Sequence, residues 1–145
     1  MDEEGPVLFY ERRFYAFSNF SSFAVDWRGR VWMTSEHAFQ AAKFLDPELQ
    51  DRVAEARSAH DAKKVARALE VERRLDWETV RLGVMEEILR AKLAQHPYVE
   101  KKLRETGTRE IVEDSLTDAF WGWGPDRKGL NHLGKLWMKL RSELV

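Results

Sequence analysis

The run "DWETVRLGVMEEILRAKLAQ", residues 76–95, constrains the fold more than any other stretch of this chain. Asp76 reads as a helix cap, and the residues after it continue as a helix that spans about 30 Å at roughly 1.5 Å per residue. Val80, Val84 and Ile88 mark one apolar stripe, and Leu82, Met85, Leu89 and Leu93 mark another. Two stripes predict burial on both sides, so this is expected to be the central helix against which the rest packs.

Elements of both kinds flank it. "VLFYE" (7–11) has the β-branched and aromatic content of a short strand, and "FAVDWRGRVW" (23–32) that of a hairpin turning at Gly29. From Thr34 onward helices dominate. Thr34 or Ser35 can cap the first, Asp46 with Pro47 opens a second, and "AHDAKKVARALE" is a short basic third. Beyond the long helix, Pro97 starts a shorter one ending near Gly107, and "REIVED" (109–114) reads as a strand. Asn131 can cap a last helix with Leu133, Leu136, Trp137, Leu140 and Leu144 on one face. The predicted architecture is α+β, a helical bundle packed against a small β-sheet, with residues 1–145 as one domain.

Composition narrows the chemistry. With 145 residues of which 43% are hydrophobic, one core forms without a metal or disulfide staple. The absence of cysteine excludes disulfides, thiol catalysis and cysteine-held zinc, and the four histidines lack metal-ligand spacing. The N-terminus starts acidic, without the apolar core of a signal peptide, and no run reaches the length of a membrane span, so a cytoplasmic protein is expected. A net charge of −1 leaves any anionic partner to a local basic cluster. No phosphate-loop or dinucleotide glycine pattern is present.

Two segments carry polar groups that packing alone does not require. In "TSEHAFQAAKF" (34–44), helical geometry places Glu36, Gln40 and Lys43 on one face while Phe39, Ala42 and Phe44 point elsewhere. The plainer alternative is a solvated charged face with a favourable first-turn glutamate. The second segment, "LTDAFWGWGPDRKGLN", brings together Asp118, Trp121, Trp123, three glycines, Arg127 and Lys128. The tryptophans can stack on a base and the cations can meet phosphate; the alternative is an ordinary turn with aromatic packing.

Five blocks in order, "FSNF" (17–20), "TSEHAFQAAKF", "DW" (76–77), "TDAFWGWG" (117–124) and "GLNHLGKLWMKLR" (129–141), resemble the signature of the NADAR, or YbiA-like, family over nearly the whole chain. The resemblance implies cleavage of an N-glycosidic bond between ribose and a base-like nitrogen; no cofactor or metal is expected. It carries catalytic roles to Glu36, Lys43 and Asp118, and a pocket wall to Trp77, whose alternative role is core packing. Ser18 and Asn19 match sugar or phosphate contacts, and Trp121, Gly122, Asn131 and Gly134 match later pocket positions. Ala62, Lys63 and Arg67 align with a basic family block that often has glycine where this chain has Ala66. Gln40, Lys63 and Arg67 complete the expected substrate contacts.

Breaking a ribosyl C–N bond requires an anionic group near C1 and a proton donor at the base, which the paired carboxylates Glu36 and Asp118 can supply. Lys43, desolvated among aromatic rings, offers a covalent route as a Schiff-base nucleophile. The implied substrates are phosphoribosylamino-pyrimidine intermediates of riboflavin synthesis, or ADP-ribose on guanine in nucleic acid. A competing reading is a non-catalytic module that binds ADP-ribose or NAD.

Overall fold

The computed structural model describes residues 5–9 and 12–145. Among these, six α-helices and four short strands occur, as the α+β expectation requires. The strands form two separate pairs instead of one sheet. The chain divides into two compact units, one of Asn19–Gln95 and one joining the described residues up to Ser18 with His96–Val145.

In the unit Asn19–Gln95, β2 (Val25–Trp27) and β3 (Arg30–Trp32) form the predicted antiparallel hairpin, with Asp26 opposite Val31. Arg28 and Gly29 both take positive φ, 51° and 81°, at its two-residue turn. Four helices follow: α1 (Ser35–Ala41), α2 (Pro47–Ala54), α3 (Ala59–Ala68) and α4 (Trp77–Gln95). Asp46 and Ser58 cap α2 and α3 through their side chains. The 19-residue α4 buries Trp77, Val84, Met85, Ile88, Leu89 and Lys92. These positions repeat at intervals of three, four and seven, so they line a single face. The expected second stripe fails at Leu82, which is 39% exposed. The hairpin is stitched to α4 by Gln95, whose amide bonds both the N–H (2.9 Å) and the carbonyl (2.8 Å) of Asp26. Asp76 gives both carboxylate oxygens to Arg74, at 2.6 and 2.9 Å.

In the other unit, β1 (Val7–Leu8) pairs in parallel with β4 (Ile111–Val112), Val7 facing Ile111. The rest of the predicted 7–11 strand includes residues 10 and 11, which lie outside the described residues. A 3-10 segment (Arg12–Phe17), α5 (Pro97–Glu105) and α6 (His132–Ser142) complete the unit. Its core centres on the fully buried Trp137, whose ring lies 5.1 Å from that of Phe17 and whose indole N–H donates to the Phe17 carbonyl at 3.0 Å. No helix among the described residues is long and apolar enough to cross a membrane.

Candidate active site

Every residue of α1 is buried, which overturns the alternative of a solvated charged face. Thr34 is the N-cap: its hydroxyl oxygen accepts from the His37 N–H at 3.1 Å. That hydroxyl also lies 2.8 Å from His37 Nδ1, while His37 Nε2 lies 3.0 Å from the Ala56 carbonyl. A carbonyl can only accept, so Nε2 carries the proton and Nδ1 accepts from Thr34. His37 is thus a structural pin between α1 and the end of α2.

Glu36, only 5% exposed, receives the Gln40 amide N–H on Oε2 at 2.6 Å. The i, i+4 spacing read from the sequence therefore becomes a real contact. The Glu36 N–H donates to the Asn19 carbonyl at 3.1 Å, which ties the 19–23 segment to the start of α1. Asn19 itself is buried, with its amide nitrogen 3.3 Å from Met85 Sδ. Three buried oxygens of this group, Asn19 Oδ1, Ser35 Oγ and Gln40 Oε1, have no hydrogen-bond partner among the described residues. Buried polar atoms left unmatched each cost about 1–3 kcal/mol and tend to mark functional sites.

Lys43 departs from its expected position on a continuous helix. The α-helical pattern ends at Ala41, and the Lys43 and Phe44 N–H groups bond three residues back, to Gln40 and Ala41. The reason lies downstream: Asp46 must be extended to cap α2 and precede Pro47, so the chain leaves the helix first. The Lys43 carbonyl is held by the Arg74 N–H at 2.8 Å. Burial lowers the Lys43 pKa below its ordinary value; the Glu36 carboxylate opposes this, Arg73 adds to it, Glu70 opposes and Lys63 adds. The lysine thus sits among four charged neighbours, Glu36 among them, though not by the straight helical route. A hollow of about 50 Å³ beside it is lined by Lys43, Phe44, Ala66, Glu70 and Arg73. Lys63 and Arg67 are exposed on α3.

Trp77 is 3% exposed and packs its ring 5.1 Å from Phe39, at 57°. That contact joins α4 to α1 and matches the core-packing alternative. Sequence reasoning passed over Arg73 and Lys92. Arg73 looks like any charged loop residue, and only the fold brings it to Lys43. Lys92 left a trace: it falls seven residues after Met85 on the buried stripe of α4.

The remaining candidates belong to the other unit. Ser18 is buried, and its N–H donates to the Tyr15 carbonyl at 2.9 Å. Asp118 Oδ1 accepts from the N–H groups of Phe120 (2.9 Å) and Trp121 (2.8 Å), so the carboxylate shapes the start of the loop. Trp121 stands edge-on to Phe120, and Trp123 donates to Asp114 Oδ1 at 2.9 Å with Arg127 over its ring. Arg127 and Lys128 are exposed. A Cβ at Gly122 would meet the Glu113 carbonyl at 2.6 Å, so glycine there answers to protein packing. Asn131 starts α6 but makes no side-chain cap. Its amide instead clamps β4, donating to the Ile111 carbonyl and accepting from the Glu113 N–H, each at 2.9 Å. Its left-handed backbone, φ 52°, turns the side chain to the strand and away from the helix end. At Gly134, α6 approaches β4 so closely that a Cβ would strike the Ile111 carbonyl.

The N-glycosidase YbiA of Escherichia coli (strain K12) is 40% identical over 129 residues, 89% of this chain and 81% of that protein. A riboflavin biosynthesis protein of Vibrio vulnificus is 38% identical over 143 residues, 97% of this chain but 39% of that longer protein. The NMR structure of E. coli YbiA superposes with a TM-score of 0.88 at 36% identity, covering 99% of this chain and 86% of the other. The NADAR domain model matches residues 8–145, and the chain belongs to the NADAR family.

Proposed function

We propose that this chain is an N-glycosidase whose reaction is carried by Glu36 and Lys43. The observation that carries the reading is a buried carboxylate, aligned by Gln40, acting on a lysine whose pKa burial lowers. A depressed pKa leaves a larger share of Lys43 as free amine at neutral pH, which nucleophilic attack requires. In an N-ribosyl amine the sugar ring opens to a C1 imine. The Lys43 nitrogen adds to C1 and, through Glu36, passes one proton to the base nitrogen, giving a neutral aminal. Glu36 then carries the second Lys43 proton to the same nitrogen as the C1–N bond breaks, so the base leaves as a neutral amine and a Schiff base remains on Lys43. Water then hydrolyses the Schiff base and frees the sugar. The unmatched oxygens of Asn19, Ser35 and Gln40 support the reading, because ribose hydroxyls are donors of the kind they lack.

The substrate we favour is a phosphoribosylamino-pyrimidine, in line with the riboflavin biosynthesis proteins of Vibrio vulnificus and Zea mays among the relatives. Ser18, Lys63, Arg67, Trp121, Gly122 and Asn131 remain candidates for substrate contact, and Asp118, whose Oδ1 also accepts from the Phe120 and Trp121 N–H groups, for a second carboxylate. The test gives the protein a phosphoribosylamino-pyrimidine and ADP-ribosylated guanosine side by side and follows released base by mass spectrometry. Release from the first, with a borohydride-trapped adduct on Lys43, is the expected result. Release from the second alone would transfer the substrate to the ADP-ribosyl class. Binding of either without turnover would revive the non-catalytic module.

A further inference from the structure

The 73–76 segment reaches Lys43 through a backbone bond, Arg74 N–H to the Lys43 carbonyl at 2.8 Å, and brings Arg73 to the same hollow. Two basic side chains, Lys43 and Arg73, thus line one small space, and the positive charge of Lys63 on α3 also acts on Lys43. Glu70 is the one carboxylate among the lining residues. The partner Arg73 finds elsewhere is Glu78, at 3.6 Å and with its side chain 67% exposed, a loose ion pair of small worth. Arg73 and Lys63 both act on Lys43 as positive charges, offset in part by the Glu36 and Glu70 carboxylates. A guanidinium is also the group best shaped to take a phosphate through two parallel N–H bonds.

We propose that Arg73 reads the phosphate of a ribose 5-phosphate moiety in the hollow beside Lys43, with Lys63 adding positive charge to the surroundings. The proposal rests on the reading of Lys43 as the group that meets ribose C1. It assigns phosphate recognition to a residue outside all the blocks that drew attention in the sequence. The 5-phosphate and C1 lie at opposite ends of a ribose, so one sugar can engage Arg73 and Lys43 together. A phosphorylated ribosyl substrate is then preferred over the matching nucleoside.

The experiment measures binding of ribose 5-phosphate and of ribose by NMR titration of the wild-type protein and of Arg73→Gln and Arg73→Lys. It also measures kcat/KM for phosphorylated and dephosphorylated forms of one substrate. Wild type is expected to bind ribose 5-phosphate more tightly than ribose, and Arg73→Gln to lose about 10- to 100-fold of that preference. Arg73→Lys should keep part of it. Ribose binding and melting temperature should stay near wild type. Equal loss on both ligands, or no preference in the wild type, overturns the phosphate assignment. Failure of the wild type to turn over either substrate counts against the N-glycosidase reading alone, because the binding arm still tests Arg73.

Discussion

Lys43 and Lys92 are both lysines withdrawn from water within the unit Asn19–Gln95, and their surroundings differ in kind. Lys92 is 0% exposed on the inner face of α4, 3.0 Å from the Ser21 hydroxyl and over the Phe23 ring at 5.4 Å. Burial pushes its pKa down to about 7. Lys43 is half-buried at the end of α1, where Glu36, Arg73, Glu70 and Lys63 act on it beside a hollow. A depressed pKa is common to both and therefore does not identify the reacting amine. The proposal for Lys43 stands instead on the hollow beside it and on the Glu36 carboxylate that acts on it. Lys92 instead anchors the 19–23 segment, whose Asn19 carbonyl holds the Glu36 N–H.

The contrast breaks most sharply on substitution of each lysine. Lys43→Ala is expected to lower kcat/KM by about 10³-fold or more and to abolish the borohydride adduct. Its thermal stability should stay near wild type, because little packing is lost. Lys92→Met should keep the adduct and most of the activity. Retained turnover in Lys43→Ala, or an adduct on Lys92, would reverse the assignment.

Stability against pH separates the two next. The folded-state pKa of Lys92 lies below the ordinary 10.5, so the folded protein holds fewer protons than the unfolded chain between pH 7 and 10.5. Stability from this group therefore rises with pH through that window, by roughly 5 kcal/mol at most, and is level below it. Lys92→Met should flatten the rise in urea titrations carried out across the window, while Lys43→Met leaves most of it.

Smaller effects probe the surroundings of Lys43. Gln40→Leu removes the amide that aligns Glu36 and should cost about 10-fold in kcat. Wild-type kcat/KM should rise with pH as Lys43 loses its proton. Arg73→Gln removes one of the causes that lower the Lys43 pKa, so this acid limb should move to higher pH. An unmoved limb would show that a different group controls it.

Much of this was legible before any coordinates. A cap at Thr34 or Ser35, the turn at Gly29, Pro47 at a helix start and the shared face of Glu36 and Gln40 all rest on local rules, and local rules survive in the fold. The readings that failed depended on partners distant in sequence. Asn131 is placed at a helix start but bonds β4, because the strand offers an N–H and a carbonyl at the right separation. Leu82 belonged to a convincing stripe, yet the hairpin and α1 cover only one face of α4.

What the sequence determined by itself is the order and type of the elements, the family blocks and the face shared by Glu36 and Gln40. Backbone geometry sets these within a few residues of each position. Only the tertiary structure decided that α1 is buried all round, that Arg73 reaches Lys43, and that Lys92 is sealed against Ser21. Burial and electrostatic neighbourhood come from packing between segments tens of residues apart, which local backbone rules do not reach.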